Sequence, residues 1–427
     1  MKLTSIFKNR TICNAGWLIA GRVIQMAVNF FVGLLSARYL GPANYGLIGY
    51  ANAYTAFFTA FCTLGINSLL VKEFIDHPGE EGRIIGTTLG LRAVSSILSA
   101  LVILSFVSFI NAGEPVTILV VALASIGMVF QIFETFNYWF QSRLQSRVTA
   151  MATLAAYLVS AAYKVYLMAA GKSVVWFALV SFLDYLCLGG ILLWEYFRNQ
   201  GGKFSFSWSY GKNLLSRSCH FILPGLMIAV YGQTDKVMLK QMIDASEIGY
   251  YNTAVSICSV WCFVLGAIID SMYPAIMEAH NSDHDLFEKR NRQLYAAVFY
   301  LSMLVSLFFT VFAHPIIYIL YGKSYLPTVE PLRIITWYTA FSYLGVARNP
   351  WIVSENRQKY LFPVYASAAV SNVFLNLLLI PRWGASGAAV ASLIAQIVTT
   401  MVAPFFLKGL RRNSQLMLEA IFLRKLR

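Results

Sequence analysis

The 427-residue sequence predicts an all-α polytopic membrane protein of about twelve transmembrane helices in two six-helix lobes. Three observations predict it. Only 12% of the residues are charged and 58% are hydrophobic, where a soluble domain carries about 25% charged residues. Apolar runs of about twenty residues recur from end to end, the length needed to cross a bilayer core ~30 Å thick. A polar stretch at the midpoint leaves six runs on each side. Backbone groups in lipid must be satisfied within the segment, so these runs read as helices. The ~10-residue alternation of a membrane β-barrel is not seen.

In chain order the spans are expected roughly at 13–36, 45–69, 84–110, 116–140, 149–170, 174–196, 214–239, 247–272, 294–319, 331–353, 360–380 and 384–407. At ~1.5 Å per residue, Asn14 to Leu35 reaches ~33 Å. That is too long for a signal-peptide core and no small-x-small cleavage site follows, so it is expected as a retained span. The longest polar connections are Val71–Arg83, Phe197–Arg217, Glu278–Arg292 and the C-terminal tail. The expected organisation is an N-terminal lobe over 1–198, a cytoplasmic linker over 199–213, a C-terminal lobe over 214–408 and a basic cytoplasmic tail over 409–427. Lys and Arg outside the spans favour the N-terminal side of the membrane roughly threefold, which places both termini in the cytoplasm. That bias accounts for most of the formal charge of +14 without a nucleic-acid partner. The segment ARYLGPANYGLIGYANAY has a faint echo in QMIDASEIGYYNTAVSI, aligning Gly46 with Gly249, and a shorter one in WGASGAAVAS from Trp383. Each is a small-residue turn that opens a span.

Charges inside spans are costly and mark pathways. Arg22 lies ~18 Å into the first span, near its middle. With Gln25, Asn29, Gly33 and Ser36 it forms one helix face. That face is either packed against other helices or turned to a hydrated cavity where Arg22 attracts an anion, and the arginine favours the cavity. Other deep charges are Arg92, Glu134, Lys164, Asp184, Asp235 and Asp270. Arg92 and Lys164 can alternatively snorkel to the surface. Pro274 frees a backbone carbonyl near Asp270, which makes an ion site there. Asp235 can pair with the adjacent Lys236. His220, Pro224, Tyr231 and Asp235 share a face that reads as a kinked packed helix or a proton relay. The run His280–Asp285 has ligand-type residues but reads as a solvated loop, so no metal site is expected.

Enzyme signatures are missing. There is no GxxxxGK[ST] phosphate loop, no G-x-S-x-G and no HExxH. A membrane polymerase would want a sizeable outer loop, and the longest, around His314 to Glu330, is short. The six cysteines form no CxxC and read as packing residues, Cys258 and Cys262 included. No enzyme and no resident cofactor is expected; transport is the default.

Five segments carry a resemblance: ARYLGPANYG (Ala37–Gly46), YWFQSR (Tyr138–Arg143), PGLMIAVYGQTDKVMLKQMIDASEIGYYNTA (Pro224–Ala254), LYGKSYLPT (Leu320–Thr328) and NVFLNLLLIPRWGASGAAVAS (Asn372–Ser392). In that order they resemble the Wzx-type oligosaccharide-lipid flippases of the multidrug/oligosaccharidyl-lipid/polysaccharide exporter superfamily. The resemblance implies two six-helix lobes around a central cavity, MATE-like, with alternating access. It implies an undecaprenyl-diphosphate-linked oligosaccharide, moved from the cytoplasmic to the outer leaflet of a bacterial inner membrane for O-antigen, capsule or exopolysaccharide synthesis. Membrane lipids and polysaccharide polymerase or assembly proteins are the implied partners. Drug and cation exporters of the same superfamily are the alternative, and they exchange substrate against Na⁺ or H⁺. Arg22, Gln25, Asn29, Arg92 and Lys164 are expected to line the cavity and meet the diphosphate. Glu134, Asp184, Asp235 and Asp270 are expected in ion coupling or charge pairing. The repeat alignment sets Gly225 opposite Arg22, so the N-terminal lobe is expected to hold the diphosphate and the C-terminal lobe any coupling ion.

Overall fold

The computed structural model describes residues 10–199 and 201–424, with side chains described from residue 24 onward save residue 224. The described chain is a multi-pass all-α membrane protein. Eight of its helices are long and apolar enough to cross a membrane, and a ninth counts if Trp208–Phe221 and Gly225–Met242, bent by 52°, form one span. Two of the eight, Ile24–Asp76 and Gln358–Phe406, are interrupted by glycines at positive φ, Gly41 (72°) and Gly384 (53°). The expected twelve spans are consistent with this pattern. The chain divides into two compact units, residues 1–40 with 47–229, and 41–46 with 230–427.

The first unit contains most of α1 (Arg10–Thr63), then α2 (Asn67–Asp76), α3 (Glu81–Ile110), α4 (Pro115–Phe130), α5 (Thr135–Ser142), α6 (Ser146–Ala169), α7 (Val174–Phe177), α8 (Val180–Arg198) and α9 (Trp208–Ser218). A single 3₁₀ turn, Gln131–Glu134, separates α4 from α5. Phe136, Trp139 and Phe140 of α5 meet Leu188, Leu192 and Tyr196 of α8 in a buried core. Arg143 closes it from outside. Its guanidinium stands 4.1 Å from the Trp139 ring centre and 2.9 Å from Glu81. The YWFQSR segment is therefore a packing motif.

The expected linker is packed against this unit. Gly82, Gly86 and Gly90 recur every fourth residue along one face of α3. A strap of residues 201–207 lies on that face. A Cβ on Gly82 would stand 2.1 Å from the Lys203 carbonyl oxygen, and one on Gly86 2.5 Å from that of Ser205. Ser205 donates its N–H to the Gly82 carbonyl at 3.1 Å, and Ser207 donates to the Thr87 hydroxyl at 3.1 Å. The Ser207 hydroxyl then accepts from the Tyr210 N–H at 3.4 Å and caps α9. Buried Glu73 holds α9 in place, accepting from the Tyr210 hydroxyl at 2.7 Å and standing 2.7 Å from Arg217. The strap and α9 thus belong to the first unit. The division falls after Ala229, inside α10 (Ile222–Met242), rather than across 199–213.

The second unit contains α11 (Ala245–Ser282), α12 (His284–Tyr321), α13 (Val329–Ala347), α14 (Asn349–Ser354), α15 (Leu361–Ile397), α16 (Ala403–Phe406) and α17 (Arg411–Ile421). A π-helical turn, Val398–Val402, joins α15 to α16. The three echoing turns come together here. A Cβ on Gly46 would stand 1.7 Å from the Ala245 carbonyl oxygen, and one on Gly249 2.2 Å from that of Pro42. Glu247 accepts the Ala385 N–H at 2.5 Å, satisfying a donor freed where Gly384 breaks α15.

Two expected polar segments are helical instead. The run His280–Asp285 is largely solvent-exposed but helical rather than a loop: α11 runs to Ser282 and α12 starts at His284, with the Asp283 carboxylate accepting the Asp285 N–H at 2.9 Å as N-cap. The basic tail folds back as α17. Leu416, Met417 and Ala420 are buried with Phe287 and Leu294 of α12. Glu288 pairs with Arg412, Arg292 stands 2.8 Å from Glu419, and Asn413 donates to the Tyr295 hydroxyl at 2.6 Å.

Candidate functional site

The site is built inside the first unit, on α1, α4, α6 and α8. Ser160 and Lys164 lie one turn apart on α6, and Ser181 and Asp184 lie three apart on α8, so each pair shares a face. These four side chains, with Tyr157 and Val32, line a cavity of about 150 Å³. Ser160 donates to Asp184 Oδ1 at 3.1 Å. Lys164 is half-buried and has no hydrogen bond or ion pair among the described residues. Asp184 lines the same cavity and acts on Lys164 electrostatically without a direct ion pair, so the ammonium keeps its hydrogen-bonding capacity for an anionic ligand.

Val32 ties the first span to this cavity. Asn29 precedes it by three residues and Ser36 follows by four; the Ser36 hydroxyl donates to the Val32 carbonyl at 2.7 Å. Gln25 is half-buried and Asn29 exposed. Gln25, Asn29 and Ser36 do not line this cavity; of the described residues of the first span only Val32 does. The Arg22 side chain lies outside the described residues.

A second cavity of about 330 Å³ adjoins the first through Ser181, which lines both. Asn52, Thr55 and Thr59 face it from α1, Met128 and Gln131 from α4 and its 3₁₀ turn, and Tyr185 from α8. Sequence reasoning missed these residues. The signal was present, since Asn52, Thr55 and Thr59 are spaced three and four apart, but neutral side chains carry no desolvation alarm comparable to a charge.

Arg92 requires a correction. It was expected in the cavity lining, but it is 1% exposed and bound inside the first unit. It donates to Asn67 Oδ1 at 3.3 Å, to the Thr135 hydroxyl at 3.0 Å and to the Gln131 carbonyl at 3.2 Å. The guanidinium satisfies groups at the 3₁₀ interruption between α4 and α5, so its role is to hold that break. Gln131 in turn donates to Glu134 Oε2 at 3.3 Å, and its other face lines the larger cavity.

In the second unit, Asp235 is 3% exposed and is the centre of a polar cluster. It accepts from the Tyr251 hydroxyl at 2.6 Å, the Asn376 amide at 2.6 Å and the Ser392 hydroxyl at 2.5 Å. Asn376 also donates to Asn372 Oδ1 at 3.0 Å. Three neutral donors from α11 and α15 surround the carboxylate, in addition to the electrostatic partner Lys236 that the sequence offered. Asp270 is exposed and has no hydrogen bond or ion pair among the described residues. His280 and His284 stand 3.8 Å from Glu355 and 3.7 Å from Glu288, and no group of three or more metal-ligating side chains exists among the described residues. Arg348 is 2% exposed and donates to the Thr399 carbonyl in the π turn at 3.4 Å.

Residues 12–280, which hold both cavities and Asp235, match the family model described as polysaccharide biosynthesis protein. The chain belongs to that family. It is 19% identical over 402 residues to the capsular polysaccharide biosynthesis protein CapF of Staphylococcus aureus, covering 92% of this chain and 98% of the relative. Among solved structures it is similar to an inward-facing multidrug resistance MATE family transporter of the MOP superfamily. There the TM-score is 0.68 at 14% identity, covering 92% of this chain and 95% of the other. It is also similar to the lipid II flippase MurJ in an inward closed conformation, with a TM-score of 0.66 at 15% identity and coverage of 95% and 91%. The family member thus has the MATE-like fold shared by exporters and a lipid flippase.

Proposed function

We propose that this chain is a flippase that carries an undecaprenyl-diphosphate-linked oligosaccharide across a bacterial inner membrane by alternating access, with both termini cytoplasmic. The observation that carries the reading is Lys164, a half-buried cation that makes no hydrogen bond or ion pair among the described residues, in a cavity of about 150 Å³ that Asp184 also lines. Family membership in polysaccharide biosynthesis and the likeness to a lipid flippase support it. The physical task is to move an anionic headgroup through a ~30 Å apolar slab. A hydrated path holding a cation lowers that barrier, while the polyprenyl chain stays in lipid. Lys164 meets the diphosphate, and Arg22, Gln25 and Asn29 extend the polar path along the first span. Replacing Lys164 by Gln abolishes surface polymer in cells that carry only this variant, with membrane insertion retained. Normal polymer in those cells would contradict the assignment.

Asp235 is the residue for a coupling cation. A buried carboxylate that accepts from two hydroxyls and the Asn376 amide N–H is a group on which a proton or Na⁺ would exchange, the hydroxyl oxygens turning to the cation when it binds. Titrating Na⁺ raises the Tm of the purified protein, by the usual stabilisation of a bound state, and the rise vanishes in Asp235→Asn. An equal rise in both proteins would remove Asp235 from this role. Asp184 in the Lys164 cavity favours a second reading, a cation-coupled exporter of organic cations. Lost polymer with unchanged drug resistance in a knockout decides for the flippase.

A further inference from the structure

The larger cavity has a chemistry of its own. Three of its polar side chains, Asn52, Ser181 and Tyr185, have no hydrogen-bond partner among the described residues. Thr55 and Thr59 spend their protons on backbone carbonyls, the former on Asn52 at 3.0 Å and the latter on Thr55 at 2.9 Å. Their oxygens keep lone pairs free to accept. Gln131 uses its amide N–H on Glu134, which leaves its carbonyl oxygen as an acceptor. Among the described residues no charged side chain lines the cavity; Ala56, Ala124 and Met128 form the apolar part of the wall. Its volume of about 330 Å³ lies at the small end of the ~300–1,000 Å³ range of small-molecule sites.

A neutral wall of mixed donors and acceptors, with an apolar floor and a phenol, fits a pyranose. Sugar hydroxyls both donate and accept, and the ring presents an apolar C–H face to Met128 or Tyr185. An organic cation would be better met by a carboxylate, and the lining has none. Position adds a covalent argument. In a lipid-linked oligosaccharide the first sugar is bonded directly to the diphosphate, so its site must adjoin the anion site. The two cavities share Ser181.

We propose that the Asn52–Thr55–Gln131–Ser181–Tyr185 cavity is a glycan subsite that reads the sugar attached to the diphosphate while Lys164 holds the diphosphate itself. This rests on the flippase reading above. The neutral subsite makes the protein discriminate by sugar, through side chains that a bare lipid diphosphate does not use. Removing hydrogen-bonding groups that a polar ligand engages lowers its relative affinity, roughly tenfold for two such groups.

The test uses the purified full-length chain and two probes, farnesyl diphosphate and farnesyl-diphosphoryl-N-acetylglucosamine, with affinities read by thermophoresis. The wild type binds the sugar-bearing probe more tightly. In the Ser181→Ala/Tyr185→Phe double variant the ratio of the two Kd values collapses toward one, a change of roughly tenfold. In Lys164→Gln both probes weaken together and the ratio persists. A ratio unchanged in the double variant overturns the subsite while leaving the flippase reading standing. Unchanged binding of both probes in Lys164→Gln overturns the anion assignment instead. Should the double variant fail to fold, Met128→Trp, which fills the cavity from its apolar wall, serves in its place. It too must erase the ratio, and a retained ratio there also overturns the subsite.

Discussion

Two cations that look alike in the sequence do opposite things in the fold. Arg92 and Lys164 each sit alone in an apolar run. Arg92 meets Asn67, Thr135 and the Gln131 carbonyl and is sealed, whereas Lys164 stands in a cavity beside Asp184 with no hydrogen bond or direct ion pair among the described residues. The planar guanidinium fork serves three acceptors at once, which an ammonium on a flexible stem does not reproduce. Arg92→Lys is therefore expected to lower stability by about 1–3 kcal/mol through unsatisfied buried groups, read as a Tm several degrees lower in a thermal-shift measurement. Lys164→Gln is expected to leave Tm within a degree or so, because little is fixed to it. A normal Tm for Arg92→Lys would return Arg92 to the list of free cations. The sequence made both charges conspicuous but could not separate them. The partners of Arg92 lie up to 43 residues away along the chain, and no local spacing encodes that meeting. Asp235 teaches the same point, since Asn376 and Ser392 are 141 and 157 residues distant.

At the level of elements, the apolar runs and their glycine turns were legible because lipid leaves the backbone so few choices. The small-residue echoes at Gly46 and Gly249 marked real turns, and the physical reason is close backbone approach rather than flexibility alone. Polar segments were misread where a cap or a tertiary strap supplied structure that composition hides. Asp283 starts α12 in what read as a loop, and the glycine face of α3 captures residues 201–207. Gly86→Leu is expected to displace that strap, since no side chain fits 2.5 Å from the Ser205 carbonyl oxygen. Limited trypsin digestion then cleaves after Lys203 well before it does in the wild type. Equal cleavage rates would mean that the strap does not depend on this contact.

For the whole molecule, the assignments divide the labour. The first unit contains a cavity lined by Lys164 and Asp184 and an adjoining neutral cavity, and the second contains a buried carboxylate that accepts from two hydroxyls and an amide. That asymmetry agrees with the repeat alignment, where Gly225 stands opposite Arg22. The measurement that bears most directly on the account is transbilayer transfer of a lipid-diphosphoryl sugar. The full-length chain is reconstituted in sealed proteoliposomes carrying nerylneryl-diphosphoryl-N-acetylglucosamine, and a galactosyltransferase added outside labels only outer-leaflet sugar. The account predicts that wild-type vesicles expose the inner-leaflet pool to the transferase, while Lys164→Gln vesicles leave it protected, as empty vesicles do. Wild-type transfer no faster than in empty vesicles, or undiminished transfer in Lys164→Gln, would contradict it.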